Sequence, residues 1–342
     1  MKTILELQKK LLPDLLDVLK QRYEVLRHLY LMQPVGRRSL ASALGMTERI
    51  LRSEVEFLRE QGLIRIETVG MKLSDVGVDL VAEMEPLIKD LFGLTDLENH
   101  LATHLRLKRV IVVPGDSDRS DWVKKEMGRA VARLLKAISR SNQVVAVAGG
   151  TTLAAVAEMM TASSSLKTTT FVPARGGLGE VVELEANTIA SLMATKAGGN
   201  YRLLHVPDQL SDAARETLMK EPRIQEMMEL VRSACIVVHG IGDAKAMAER
   251  RKSSPELLAH LEQEGAVGEA FGYYFARDGR IVHYGRSIGL TLEDLARAHN
   301  VIAVAGGSGK AESIAAVCPV VGGGTLITDE SAARAILSDV NL

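Results

Sequence analysis

Thiols, clustered histidines and long uncharged stretches are all scarce in this chain. Only two cysteines, Cys235 and Cys318, occur among 342 residues, and both sit in apolar, strand-like runs. No disulfide framework or thiolate metal site can be built from them, and a reducing compartment is implied. The eight histidines form no metal-ligand cluster, His100 and His104 being the one close pair. A metal or redox sensor is therefore excluded, and no metal or cofactor is expected. No uncharged run approaches the roughly 20 residues that cross a bilayer. The leucine-rich beginning is interrupted by Glu6, Lys9, Lys10, Pro13, Asp14 and Asp17, which does not fit a secretory signal. A cytoplasmic protein is expected. Net charge is missing too: 42 Lys and Arg stand against 43 Asp and Glu. The 46% apolar and 25% charged content is that of an ordinary globular chain, long enough for two or three domains.

Charge is present locally. From Lys20 to Lys72 there are ten Lys and Arg against six Glu, whereas Leu73 to His100 has one Lys against seven acids. Within the basic segment, Arg38 to Leu44 is apolar at Leu40, Ala43 and Leu44, Gly45 permits a tight reversal, and Thr47 can cap the next helix. On that helix Leu51, Val55 and Leu58 fall at i, i+4 and i+7, which turns Arg49, Arg52, Ser53 and Glu56 outward. This is the pattern of a recognition helix, although taken alone it equally describes a helical hairpin with a solvated basic face. Two short alternating runs about Val69-Gly70 add a wing, and Tyr23, Leu26, Leu29 and Tyr30 add a preceding helix. A winged helix-turn-helix for double-stranded operator DNA is expected. Arg37, Arg38 and Lys72 would meet phosphates, Arg49 and Arg52 would reach bases, and Ser39, Thr47 and Ser53 would lie at the same surface.

Leu80, Met84, Leu87, Leu91 and Leu94, then Leu97, Leu101 and Leu105, form a narrow apolar seam. The first half is expected to pair helices across a dimer axis, and a tetramer is expected on DNA. The second half fits dimerisation or packing on the following domain equally. Pro86 is expected to kink the seam, and Gly93 with the capping box Thr95 to Glu98 to break it. Ile4 to Leu19 is a further amphipathic stretch that could fold onto it.

From Leu107 the pattern becomes short β-branched runs alternating with helical stretches. Val110–Val113, Val144–Ala148, Thr169–Val172, Leu203–Val206, Ile236–Val238, Val301–Val304 and Thr325–Thr328 read as buried strands. The expected fold is α/β: a winged helix-turn-helix over 1–90, a linker over 91–106, and a doubly wound, Rossmann-like effector domain over 107–342. In such sheets the loops behind the strands hold the ligand. Gly149-Gly150-Thr151-Thr152 offers amides and two hydroxyls to a phosphate. Gly306 to Lys310 repeats the arrangement with an ammonium, Arg175 lies on a glycine-rich loop, and Arg250 and Arg251 close another segment. Glu269, between glycines, suits sugar hydroxyls. Any one of these turns is more often only a connection. Together they favour a phosphorylated sugar, and neither glycine loop fits a nucleotide motif.

The run Lys124 to Ala130, Gly149 to Thr152, Phe171-Val-Pro-Ala-Arg-Gly-Gly-Leu-Gly-Glu180, Glu269 to Tyr274 and Ala303 to Ser308 resembles the SorC family of bacterial sugar-responsive repressors. The likeness runs from Leu11 to the last helix. It implies a repressor of a glycolytic operon released by fructose 1,6-bisphosphate, with phosphate contacts at Gly149 to Thr152, Arg175, Arg250 and Lys310 and sugar contacts at Glu269. It places a further contact at Glu185, where an uncharged glutamine is expected and a carboxylate would weaken phosphate binding. The effector domain also resembles sugar-phosphate isomerases and deaminases. An enzyme of that kind needs a positioned base, and only Asp243 or Glu269 is available for it.

Overall fold

The structure, a computed structural model, describes residues 13–338 apart from Leu178, Glu180, Gln209, Arg286 and Gly322. The part of the Ile4 to Leu19 stretch that precedes Pro13 lies outside the described residues. Contacts divide the chain between Asp96 and Leu97 into two compact units, a division inside the 91–106 stretch.

The first unit runs α1 (Pro13–Met32), α2 (Arg37–Leu44), α3 (Glu48–Glu60), β1 (Ile64–Glu67), β2 (Gly70–Leu73) and α4 (Asp75–Leu91). Gly45 ends α2 at φ 64°, a left-handed turn that an ordinary side chain would strain. Thr47 Oγ1 then caps α3 by accepting from Ile50 N at 3.4 Å. Leu51, Val55 and Leu58 bury one stripe of α3 against Leu26, Leu29 and Leu40. The antiparallel pair β1 and β2 holds Ile64 opposite Leu73 and Glu67 opposite Gly70, forming the wing.

The expected dimer seam is a correction. Leu80 and Met84 pack against this unit's own core and Leu91 is buried, so of the four seam residues only Leu87 is exposed, at 49%. α4 covers α1 and β2, which consumes the stripe intramolecularly. It also runs through Pro86 without ending there. Thr95 is not a cap. The next helix, α5 (Leu94–His104), already includes it, and its hydroxyl donates to Asp90 Oδ1 at 2.7 Å. In the second unit Leu97, Leu101 and Leu105 are buried and Glu98 Oε1 accepts from Val112 N at 2.8 Å, so that half of the seam packs on the effector domain.

The second unit continues with β3 (Arg109–Val113), α6 (Asp121–Ile138), β4 (Val144–Val147), α7 (Thr151–Met159), β5 (Thr170–Pro173), α8 (Ala186–Ala197) and β6 (Asn200–Tyr201). There follow α9 (Asp212–Leu218), α10 (Pro222–Arg232), β7 (Ile236–Gly240), β8 (Gly242–Asp243), α11 (Ala244–Arg250) and α12 (Pro255–Gln263). The remainder is β9 (Ala266–Ala270), β10 (Tyr273–Ala276), β11 (Ile281–Tyr284), α13 (Leu292–Arg297), β12 (Asn300–Val304), α14 (Ala311–Val317), β13 (Thr325–Asp329) and α15 (Glu330–Ser338). Seven parallel strands lie in the order β3-β13-β12-β7-β4-β5-β6. Their β-branched runs are buried because helices cover the sheet. The chain turns to one side after β4 and to the other after β7. The crevice between the carboxyl ends of these neighbours is the switch point where such sheets bind ligands.

One expected strand fails and one sheet is additional to those expected. Leu203–Val206 is not a strand, because Asn187 takes both backbone groups of Leu204, its Oδ1 accepting from Leu204 N and its Nδ2 donating to Leu204 O, each at 3.0 Å. A second, antiparallel sheet of order β11-β10-β9-β8 had no counterpart in the sequence reading. Its strands are only two to five residues long, and glycine interrupts β8 and β9, so the alternation that reveals a strand never develops.

Candidate functional site

On the first unit, Arg37, Arg38, Ser39, Thr47, Arg49, Arg52 and Ser53 are all exposed, as a DNA-reading face requires. Their engagements differ. Thr47 serves as the α3 cap, Arg38 Nε lies 3.3 Å from Glu48, and Arg52 Nε donates to Glu56 Oε1 at 2.9 Å. Lys72 is half-buried, with Nζ 2.7 Å from Glu67 across the wing. Exposed pairs of this kind are worth about 0–1 kcal/mol, so a phosphate can displace them cheaply.

On the second unit, the carboxyl ends of β4, β5 and β7 open into a cavity of about 240 Å³. All ten residues singled out in the sequence line it: Gly149, Gly150, Thr151, Thr152, Arg175, Glu185, Arg250, Arg251, Glu269 and Lys310. Gly149 is required because a Cβ there would stand 2.6 Å from Leu184 O, and Gly150 leads into α7 at φ 119°. Gly150 N is spent on Leu184 O at 2.9 Å, and no side chain caps α7. The first-turn amides of this nine-residue helix therefore combine with the Thr151 and Thr152 hydroxyls and the positive end of the helix dipole.

The other glycine loop is a correction. Asp329, fully buried at the end of β13, accepts from Gly307 N at 2.7 Å and Ser117 N at 2.8 Å, while Asp118 accepts from Gly309 N at 3.0 Å. The protein's own carboxylates thus occupy the amides expected to hold phosphate. Lys310 alone carries that loop into the cavity. Burial pulls the Lys310 ammonium below the usual lysine range, with Asp118 partly opposing the shift.

The arginines are corrected in turn. Arg175 grips Asp208 with two bonds of 2.8 Å, from Nε to Oδ1 and from Nη2 to Oδ2. Arg251 donates to Glu269 Oε1 at 2.7 Å and to Tyr274 Oη at 3.0 Å, and lies 3.6 Å from Asp208. Arg175 also stands 3.5 Å from Glu269. Buried charge requires counter-charge, so these guanidiniums cannot sit unpaired on a loop. Arg250 is half-exposed and has no acidic partner among the described residues. Burial pulls the Glu269 carboxyl up, but Arg251 and Arg175 outweigh it and hold the group below the ordinary carboxylate range. That makes Glu269 a weak base. Asp243, the other candidate base, caps α11 by accepting from Ala246 N at 2.8 Å. Glu185 reaches the cavity wall while its Oε1 accepts from Gly179 N at 2.9 Å.

Asp208, Tyr274 and His239 were missed by sequence reasoning. Asp208 carries no motif, Tyr274 closes the Glu269 to Tyr274 run without a role of its own there, and only the fold brings Asp208 to Arg175 and Arg251 and Tyr274 to Arg251. His239 lines the cavity from β7 with Nδ1 bonded to Gly240 O at 2.9 Å. Phe271 beside it holds φ 54°, an uncommon conformation for a bulky residue, in a two-residue turn fixed by Gly272 N donating to Glu269 Oε1 at 2.6 Å. No group of three or more His, Cys, Asp or Glu that could hold a metal occurs among the described residues.

A winged helix followed by a doubly wound domain whose switch-point cleft presents threonine hydroxyls, arginines and a lysine is the architecture of a DNA-binding regulator with a sugar-binding domain. Comparison with known proteins agrees. Residues 18–88 match the family described as the CggR N-terminal DNA binding domain, and residues 89–338 match a sugar-binding domain family. The chain is 50% identical to the central glycolytic genes regulator of Bacillus subtilis, over 99% of this chain and all of that one. It is 52% identical to that of Priestia megaterium over the full length of both. A SorC family transcriptional regulator of Enterococcus faecalis is 43% identical, with TM-score 0.67, covering 71% of this chain and 99% of that structure. The chain belongs to the SorC family of transcriptional regulators, on the branch of the central glycolytic genes regulators. It is a regulator and not an isomerase.

Proposed function

We propose that the protein represses a glycolytic operon from the cytoplasm as a homo-oligomer, and that fructose 1,6-bisphosphate releases it from the operator. The observation that carries this reading is that the start of α7 with its two threonines, Lys310 and Arg250 all line one cleft. The α7 amides, Thr151, Thr152 and Lys310 suit one phosphate, and Arg250 suits the other, with Glu269 and the paired arginines near the sugar. A bisphosphate satisfies both sets and a monophosphate only one. The curated relatives, named as regulators of central glycolytic genes, support the choice of operon.

The test is a titration of the protein–operator complex followed by fluorescence anisotropy. Fructose 1,6-bisphosphate should dissociate the complex at concentrations at least tenfold below those needed for fructose 6-phosphate, a difference of about 1.4 kcal/mol. Thr152→Val and Lys310→Met should bind the operator as before but resist release. Wild-type sensitivity in both variants would place the effector elsewhere.

A further inference from the structure

The DNA-reading helix exposes an apolar side chain among its charges. Ile50, in the first turn of α3, is 47% exposed, although the buried stripe of Leu51, Val55 and Leu58 already satisfies the core. Phe57 lies two turns further on the same flank and is also exposed, but the Arg22 guanidinium stacks 3.7 Å from its ring centroid and is itself held by Glu54 at 2.9 Å. Ile50 is the apolar group on the end of the helix that a groove-reading unit inserts first. Its neighbours on the helix are unequal. Arg52 is engaged by Glu56 in an exposed pair that DNA can displace, whereas Arg49 has no acidic partner among the described residues. The first turn therefore offers one available guanidinium and one branched apolar side chain at adjacent positions.

We propose that Arg49 and Ile50 both read base edges: Arg49 bonds a guanine, and Ile50 packs on the C5-methyl of a thymine in the same half-site. The assignment rests on the DNA-binding function of this unit and names the sequence chemistry it recognises. Thymine is the one base whose major-groove edge carries an apolar group, and arginine pairs with guanine O6 and N7. Arg49 and Ile50 lie in the first turn of α3, about 1.5 Å apart along its axis and about 100° apart around it, so their side chains leave the helix in different directions and can address different base pairs. An exposed isoleucine among phosphates and polar base edges gains nothing elsewhere in the groove.

The full chain first selects its operator from a random duplex library. Single thymines of the selected half-site are then replaced by deoxyuridine, which removes only the methyl, and binding is read by anisotropy. One buried methyl is worth about 0.8 kcal/mol, so one thymine per half-site should show a roughly fourfold loss on replacement. In Ile50→Ala that loss should disappear, while Ile50→Val, which keeps the branch at Cβ and is safe for folding, should retain most of it. A uracil effect undiminished in Ile50→Ala, or no uracil-sensitive thymine in the wild type, overturns the assignment even if operator binding is intact. If the wild type selects no sequence at all, the DNA-reading function and the assignment fall together.

Discussion

His239 illustrates how strongly single residues are governed by their surroundings. Burial pushes its imidazole down to about 4, with the Gly240 carbonyl and Glu269 opposing, and leaves Nε2 without a hydrogen-bond partner among the described residues. A histidine whose folded pKa lies below its unfolded value of about 6.5 is protonated first in the unfolded chain. The stability it contributes is therefore complete above about 6.5, falls as pH drops, and levels off below about 4, a change of about 3 kcal/mol across the window. Equilibrium unfolding of wild type and His239→Gln between pH 7 and pH 4 checks this. The variant's profile should be shallower over that interval, and parallel profiles would mean that another group controls acid sensitivity. Glu269 is shifted in the same direction for a different reason. It stays ionised against its burial because Arg251 and Arg175 flank it, which fits a binding carboxylate better than a proton-abstracting one.

Among the elements, α4 separates packing from exposure within two consecutive residues. Ile88 is buried in the core of the first unit and Leu87 points away from it, at 4% and 49% exposure. Ile88→Ala should cost about 2–5 kcal/mol of that unit's stability through lost burial and the cavity left behind. Leu87→Glu should leave thermal stability nearly unchanged. Sedimentation of Leu87→Glu then asks whether the exposed part of α4 supports self-association. A smaller particle would assign it to the homo-oligomer interface, and an unchanged one would place the interface on other elements. α7 shows a different division of labour. Its apolar residues pack on α6 and α8, while its uncapped start faces the cleft, so one helix serves both core and ligand site.

For the molecule as a whole, DNA and sugar must be linked by differential affinity. If the bisphosphate releases the operator, it binds the free protein more tightly than the DNA-bound protein, and operator DNA must weaken sugar binding by the same factor. Isothermal titration of fructose 1,6-bisphosphate with and without saturating operator checks this reciprocity. A coupling of about 5–150-fold is expected, corresponding to 1–3 kcal/mol. Equal affinities would mean that the sugar acts by some route other than a shift between two states of this protein.

Periodicity alone located most of the architecture. The spacing of Leu51, Val55 and Leu58 defined the inner face of α3, and six of the seven expected strand runs became strands of the parallel sheet, because local sequence dictates helical and strand faces directly. The loops behind those strands were legible too, since glycines and hydroxyls mark a strand-to-helix turn wherever it lies. What sequence could not decide was pairing across distance. Arg175 lies 33 residues from Asp208, Arg251 lies 18 from Glu269, and Gly307 lies 22 from Asp329. Those partners determine which cations and amides remain for a ligand. The leucine series was ambiguous for the same reason, because an apolar stripe records that it will be covered and not by what. Only the folded chain supplied the cover: α1 and β2 for α4, and the effector domain for the second half of the series.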